Sequence, residues 1–127
     1  MTGINKVFLI GHLGKDPLHK KLPNGDSVVT FPLATDEWII KSGAKVEITE
    51  WHNIIMWKTM ADSAAHMLKK NTLVHIEGKL TTRSFTDNNG NKRYLTEVQV
   101  SKFTTLYTYT VPGEILLETK SSVGLIK

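Results

Sequence analysis

Large aromatic residues alternate with lysine and arginine in several strand-like stretches of this sequence, and that combination suits a nucleic-acid strand. The aromatic residues are Trp38, Trp51, Trp57 and Phe85, and the neighbouring cations are Lys41, Lys45, Lys58, Lys79 and Arg83. Aromatic rings can stack on any base, because every base has a flat π face, while cations neutralise phosphates. The pattern therefore predicts a surface that grips single strands with little regard for sequence.

The other reactive residue types give no comparable pattern. The five histidines show neither an i, i+4 pair nor HExxH spacing, and the absence of cysteine excludes a thiolate zinc site and disulfides. Gly11 and Gly14 lack the context of a phosphate-binding loop, and no carboxylate is matched to a nucleophile. We therefore expect a protein that is not an enzyme and that uses no cofactor or metal.

Length and charge set loose bounds. A chain of 127 residues fits one domain, and its net charge of +4 favours a polyanionic partner only weakly. No stretch approaches the roughly 20 apolar residues that span a bilayer, and the apolar run at residues 7–10 is too short for a signal peptide. These features predict a cytoplasmic protein with no membrane partner.

Periodicity and turn residues predict five strands and one helix. Pro32 lies inside the second strand and requires an edge position or a bulge there. Thr59 and Asp62 resemble a helix capping box, and Asn71 suits a left-handed residue after the helix. The predicted strands cover residues 4–13, 27–35, the segment from 38 to 57 with a turn around 41–44, 73–85 and 93–103, and the predicted helix covers 60–70.

The segment from Trp51 to Trp57 carries apolar residues on both faces. Alternation places Trp51, Asn53, Ile55 and Trp57 on one face and His52, Ile54 and Met56 on the other. One face can therefore meet the core while the other meets a ligand or a subunit. In the strand from 73 to 85, Val74, Ile76 and Leu80 are predicted to face one side, and the other side is predicted to carry Lys79, Thr81, Arg83 and Phe85.

The order of elements is strand, strand, strand, helix, strand, strand, with turns suited to extended hairpins. A helix between the third and fourth strands of a small antiparallel sheet is the element order of the OB-fold, a five-stranded, partly open barrel that binds oligonucleotides and oligosaccharides. The predicted fold class is therefore all-β with one helix, as a five-stranded OB-fold barrel.

Several blocks of the sequence resemble the single-stranded DNA-binding protein family of bacteria and mitochondria. The blocks are INKVFLIGHLGKDP, LPNGDSVVTFPLATDEW, TEWHNIIMWK, HMLKKNTLVHIEGKLTTRSFTD and NGNKRYLTEVQV, and they cover about residues 4–103. The resemblance implies an OB-fold that assembles as a homotetramer and binds single-stranded DNA non-specifically. It also implies a role in protecting that DNA during replication, repair or recombination.

The resemblance also implies roles for particular residues. Trp38, Trp51, Trp57 and Phe85 match the stacking aromatics of the family, with Trp57 and Phe85 as aromatic replacements at their positions, and Lys70 matches a lysine that contacts the DNA backbone. Ser84 departs from the family, which often has a basic residue there. His52 resembles a histidine of the subunit interface. The full predicted DNA-binding set is Trp38, Trp51, Trp57, Phe85, Lys58, Lys70, Lys79 and Arg83.

The C-terminal region departs most from the family. We expect an OB-fold domain over residues 1–106 and a C-terminal extension over 107–127. Bacterial members end in an acidic tip that recruits replication and repair proteins, whereas this sequence ends ETKSSVGLIK. Either that tip was removed or this member never had one, so recruitment of such proteins is not supported by the sequence.

Three other functions stay open at this point. The first is an RNA-binding OB module. The second is an assembly module that uses the aromatic faces as interfaces, and the apolar run Ile115, Leu116, Leu117 favours it slightly. The third is a nuclease on an OB scaffold, which the missing carboxylate constellation disfavours.

Overall fold

The computed structural model describes residues 1–108, which form a closed β-barrel with a helix at one end. The elements are β1 (Val7–Leu13), β2 (Leu18–Lys21), β3 (Ser27–Lys41), β4 (Ala44–Trp57), α1 (Lys58–Met67), β5 (Thr72–Thr86) and β6 (Lys92–Thr108). The strands are joined in the order β1-β5-β6-β4-β3-β2, and β1 also pairs with β3. Five strands therefore close the barrel, and β2 is an extra strand outside it.

This architecture confirms the predicted OB-fold order, with two differences in detail. β3 is one continuous strand of 15 residues, whereas the sequence suggested separate strands on either side of Thr35. β2 was not predicted, because all four of its residues are exposed and show no alternation. It forms because its backbone pairs with Ser27–Thr30 of β3.

Pro32 lies where β3 exchanges one neighbour for another. The residues of β3 that pair with β2 end at Thr30, and those that pair with β1 begin at Leu33. On its other side Pro32 is in register with Asn53 of β4. A residue without an N–H is tolerated there because it falls between the two ladders on that side, which meets the requirement read from the sequence.

The core fills the barrel and is capped by the helix. Ile54 and Met56 of β4 are buried with Ala61, Ala64 and Leu68 from the helical region, as the sequence periodicity predicted. The other core residues are Leu13, Val29, Phe31, Leu33, Val74, Ile76, Val98 and Val100. Burial of each large side chain stabilises the fold by about 1.5–3 kcal/mol.

The helix begins and ends earlier than predicted. It runs from Lys58 to Met67 instead of 60–70, and Trp57 is its N-cap without a side-chain capping bond, so the predicted capping box is wrong. Asp62 instead accepts a hydrogen bond from the Ser27 hydroxyl of β3. The Asp62 carboxylate therefore bonds to a residue of another strand and does not cap its own helix.

Asp62 fastens the helix to β2 and β3. Besides Ser27, its Oδ1 lies 3.3 Å from Nε2 of His19 and 4.0 Å from Nζ of Lys21. The Ser27 hydrogen bond and the nearby charges of Lys21 and His19 lower the pKa of Asp62 below its ordinary 3.8. A carboxyl whose folded-state pKa is lowered stabilises the fold above the unfolded value and loses that contribution as the pH falls through the folded value.

We therefore expect Asp62→Asn to lower the melting temperature at pH 7, and the difference from wild type to shrink below about pH 3.8. Thermal unfolding followed by circular dichroism at pH 7, 4.5 and 3 measures this. Glu37→Gln, at an exposed carboxylate of β3, controls for the change in net charge. An equal difference between Asp62→Asn and wild type at all three pH values would contradict the assignment.

The turn after the helix is tied to the end of β1. Asn71 has a φ of 73°, the left-handed conformation predicted for it, and its N–H donates to the carbonyl of Leu13. The N–H of Lys70 donates to Oδ1 of Asp16 at 2.8 Å. These bonds hold the backbone of Lys70 beside the β1–β2 loop.

Two hairpins extend from the barrel. The β3–β4 hairpin turns at Ser42 and Gly43, both with positive φ, which is the two-residue turn that matches strand twist. The β5–β6 hairpin continues past Gly78, the last residue of β5 that pairs with β1. Leu80 is therefore 50% exposed, although the sequence placed it with the buried Val74 and Ile76.

The predicted division of the chain at residue 106 is not tested by this architecture. β6 runs to Thr108, where the described residues end, so the rest of the predicted 107–127 extension, including Ile115, Leu116 and Leu117, lies outside them. Within residues 1–108, no helix is long and apolar enough to cross a membrane.

Candidate nucleic-acid interface

β4 separates a core face from an aromatic face, as alternation in the sequence predicted. Ile54 and Met56 are 1% and 0% exposed, whereas Trp51 and Trp57 are 59% and 38% exposed. Asn53, between the two tryptophans on the same face, is exposed as well, whereas Ile55 on that face is only 6% exposed. β4 pairs with β3 along its whole length, so both indoles project from a continuously hydrogen-bonded strand.

A groove crosses this aromatic face. It consists of two adjoining cavities of about 310 and 330 Å³ that share Leu18 of β2, Thr30 of β3 and Arg83 of β5. Asn53 lines the first cavity and Trp57 lines the second. The groove therefore brings an aromatic ring, a guanidinium and apolar side chains into one open channel.

The indole of Trp51 lies on the backbone of the β1–β2 loop. A Cβ atom built on Gly14 would lie 2.5 Å from Cζ3 and 2.7 Å from Cη2 of Trp51, so only a residue without a side chain fits beneath the ring. The N–H of Gly14 is itself held by the carbonyl of Pro32 at 3.0 Å. One side of the indole is thus supported, and the 59% exposure shows that the ring is still open to a ligand.

We expect Gly14→Ala to displace the Trp51 indole and weaken binding of oligo(dT) by up to about 1–3 kcal/mol, the value of one base–aromatic stack. Gly14 is not among the glycines with positive φ, so alanine fits its backbone and only the contact with the ring changes. Fluorescence anisotropy with a labelled oligonucleotide measures the effect.

Two further variants isolate the cause. Gly3→Ala is the matched control, because a Cβ there would meet no atom within 4 Å. In a Trp51→Phe background the smaller ring removes the clashing atoms, so Gly14→Ala should cost little. Equal losses of affinity in the Trp51 and Phe backgrounds would mean that Gly14 acts through something other than this ring.

Trp38 stands apart from the groove, on the β3–β4 hairpin. It is 58% exposed, and Nζ of Lys45 lies 4.9 Å from its ring centroid. A cation over one face of an indole leaves the other face available for stacking and keeps a positive charge beside it. Alternation along β3 and β4 places Trp38 and Trp51 on the same face of the hairpin.

Phe85 is an exposed aromatic residue of the β5–β6 hairpin, as Trp38 is of the β3–β4 hairpin. It is 44% exposed and in register with Arg93 of β6. Arg93 donates from Nε to Oδ2 of Asp87 at 2.8 Å, and Asp87 also accepts from the backbone of the turn. These bonds brace the end of the hairpin that carries Phe85.

The structure distributes the predicted cations along the barrel. Arg83 lines both cavities of the groove, and Lys58 follows Trp57 directly with a φ of 59°. Lys70 is anchored by its backbone to Asp16, which lines the first cavity. Lys79 does not line the groove but a separate depression of about 380 Å³. Arg83 and Trp57 are therefore the predicted pair that the fold brings into one cavity.

His52 lies on the opposite face of β4 from the tryptophans. Its Nε2 is 2.9 Å from the Thr35 hydroxyl of β3, and the residue is half-buried. This position is separate from the groove, and the predicted role of His52 at a subunit interface stays a prediction.

Sequence reasoning missed several residues of the groove. Leu18 and Lys20 were overlooked because β2 itself was not predicted. Glu97 was not singled out in the sequence, yet it is buried beneath the groove and bonded to Arg83. Its strand alternates Leu95, Glu97 and Gln99 on one face, and a carboxylate between partly apolar neighbours was the available signal.

Comparison with known proteins agrees with this geometry. The model of the single-strand binding protein family matches residues 4–106. The chain belongs to that family. The match covers all six strands except the last two residues of β6, and so includes every residue proposed for the interface.

Two relatives illustrate the similarity. The chain is 50% identical over 98 residues, or 76% of its length, to the single-stranded DNA-binding protein 1 of Chlorobaculum tepidum. The matched region spans 60% of that relative's own length. Among solved structures, the Plasmodium falciparum SSB in complex with ssDNA superposes with a TM-score of 0.75 at 30% identity, covering 84% of this chain and 98% of the other.

Proposed function

We propose that this family member binds single-stranded DNA with little sequence preference and protects it during replication, repair or recombination. The observation that carries the proposal is the aromatic face of β4, where Trp51 and Trp57 are both exposed and Trp57 lines a groove together with Arg83. Exposed aromatics beside cations are the arrangement that binds single strands through stacking and charge. Family membership and the named relatives support the same function.

Each predicted residue has a role in this proposal. Trp38, Trp51, Trp57 and Phe85 stack on bases, because each is exposed in spite of its size. Cations neutralise phosphates of the strand between the stacked bases. The proposed phosphate contacts are Lys58, Lys70, Lys79 and Arg83.

The protein acts in this proposal as a binding protein without catalysis. Ser27, His19 and Asp62 do lie together, but both Ser27 and His19 contact the Asp62 carboxylate. The hydroxyl donates to a carboxylate instead of an imidazole, and Ser27 is 2% exposed, so it is not an activated nucleophile. Among residues 1–108, no group of histidines and carboxylates could hold a metal ion.

We also propose a homo-oligomer, with a tetramer as the expected form. The outer side of β1 exposes Phe8 and Ile10 by 59% and 58%, and Ile4 before it by 95%. β1 pairs with β3 only at His12 and Leu13, so within the described part of the chain the edge from 7 to 11 has no strand partner on that side. An apolar face beside an open strand edge favours a second copy. Light scattering after size exclusion tests this assembly.

Location and further partners follow from this function as proposals. A protein that coats single-stranded DNA acts in the cytoplasm at the nucleoid, and the net charge of +4 is compatible with that partner. Replication and repair proteins are the further partners proposed, because they act on the same single strands.

Fluorescence anisotropy with labelled oligo(dT) tests the proposed function. We expect unlabelled single-stranded DNA to compete, duplex DNA to compete poorly, and the logarithm of the affinity to fall with log salt by about 0.7 for each phosphate neutralised. Oligo(U) in place of oligo(dT) separates DNA from RNA binding. Equal competition by duplex and single strands would contradict the proposal.

A further inference from the structure

Glu97 is a charged side chain buried under the groove. Among the described residues, the buried polar side chains are Ser27, Thr72, Glu97 and Thr108, and of these only Glu97 carries a charge. It is 4% exposed and lines the first cavity of the groove. A carboxylate is rarely buried unless it is paired, because leaving water costs several kcal/mol.

Its partner is Arg83, which lies across the β5–β6 pair. Nε of Arg83 donates to Oε1 of Glu97 at 2.9 Å, while the Arg83 side chain is still 56% exposed. That bond uses one of the five N–H donors of a guanidinium. Because Glu97 is buried on a paired strand, the bond restricts the direction in which the exposed part of Arg83 points.

If charge alone determined the affinity for DNA, the Arg83–Glu97 pair would weaken binding. A carboxylate in a groove for a polyanion repels phosphate, and it also offsets the positive charge of the arginine beside it. Its presence in the groove is therefore better explained by geometry than by charge. Arg83 lines both cavities, so its orientation decides what the groove offers between the Asn53 end and the Trp57 end.

We propose that Glu97 is a positioning residue, which orients the guanidinium of Arg83 so that its free N–H groups meet a phosphate of the bound strand. The inference rests on the proposed function and deepens it. A guanidinium held by Nε presents its terminal nitrogens as a flat pair that suits two phosphate oxygens. The Arg83 side chain is ordered by this bond when the protein folds. Ordering it therefore costs less conformational entropy when DNA binds.

The effect of Glu97→Gln on DNA affinity distinguishes a charge effect from a positioning effect. It removes a negative charge from the groove, so a charge effect would tighten binding and steepen the salt dependence. Positioning predicts roughly three- to tenfold weaker binding of oligo(dT), because one charge-assisted contact is loosened. The salt slope should also become shallower by up to about 0.7, the value for one lost phosphate contact.

Two further variants separate the position of the carboxylate from its charge. Glu97→Asp keeps the charge but shortens the side chain, so it cannot hold Nε at the same place and should weaken binding as well. Glu37→Gln is the control for net charge, since Glu37 is an exposed carboxylate of β3 that lines neither the groove nor the depression beside Lys79. It makes the same change in net charge and should leave affinity within about twofold.

A double-mutant cycle shows whether Glu97 acts through Arg83. Arg83→Lys keeps a cation beside the carboxylate but has no second pair of donors, so it should weaken binding. In that background Glu97→Gln should cause no further loss. The cross-peak of Arg83 Nε–H in a ¹⁵N spectrum of the free protein should also exchange faster with water in Glu97→Gln than in wild type.

The outcomes separate the two proposals. Wild type that fails to bind oligo(dT) overturns the proposed function and this inference with it. Wild type that binds, with Glu97→Gln and Glu97→Asp binding as tightly or more tightly, overturns the positioning role alone. An equal loss on Glu97→Gln in the Arg83 and Lys backgrounds also overturns it.

Discussion

Trp51→Ala is expected to weaken binding of single-stranded DNA by about 1–3 kcal/mol, roughly 5- to 150-fold, without unfolding the protein. The indole is 59% exposed and rests on Gly14, so removing it deletes a supported stacking surface and leaves no cavity in the core. Anisotropy titration with oligo(dT) measures the loss, and circular dichroism confirms that the variant is folded.

Tyr94→Ala is the matched control for that variant. Tyr94 is 68% exposed on β6 and in register with Ser84, whereas Phe85 follows on the opposite face of the hairpin. It is therefore an exposed aromatic that does not face the groove, and its removal should change affinity by less than about twofold. Unchanged affinity of a folded Trp51→Ala, or equal losses in the two variants, would show that Trp51 is not a stacking residue.

Ile54→Ala is expected to reduce stability and not DNA affinity, with a loss of about 2–5 kcal/mol in the free energy of unfolding. Ile54 is 1% exposed and belongs to the core cluster, in register with Val98 of β6. Truncation would leave a cavity where β4 and β6 close the barrel. Urea unfolding at one fixed protein concentration measures the loss, since an oligomer's stability depends on concentration.

Ile40→Ala controls for the change of residue type, because Ile40 is 73% exposed on the β3–β4 hairpin and should cost less than about 0.5 kcal/mol. Folded Ile54→Ala should bind oligo(dT) within a few fold of wild type. A large loss of binding with unchanged stability would mean that the two faces of β4 are not divided between core and ligand.

The separation of Trp51 and Trp57 from Ile54 and Met56 was readable from the sequence because the side chains of a strand point alternately to its two faces. Alternation did not show that Ile55, on the face of the tryptophans, is buried. The same reasoning failed for β2, whose residues Leu18–Lys21 are exposed on both faces and so show no period. It also divided β3 after Thr35, although Asp36 and Glu37 continue the strand as exposed residues of the hairpin.

Contacts between distant segments were beyond the sequence for a physical reason. The place of Gly14 under Trp51 depends on how the β1–β2 loop folds over β4, and the bond from Arg83 to Glu97 depends on the register of β5 with β6. Local propensity determines neither. The helix shows the same effect at Asp62, where a hydroxyl from β3 replaced the local cap that the spacing from Thr59 suggested.

The central claim is that exposed tryptophans stack on the bases of a single strand, and intrinsic tryptophan fluorescence tests it most directly. The chain contains Trp38, Trp51 and Trp57, so the signal comes from the proposed stacking residues alone. We expect strong quenching on titration with oligo(dT), weaker quenching at high salt, and little change with duplex DNA. Fluorescence that is unaffected by either nucleic acid would contradict the account and favour an assembly role for these aromatic faces.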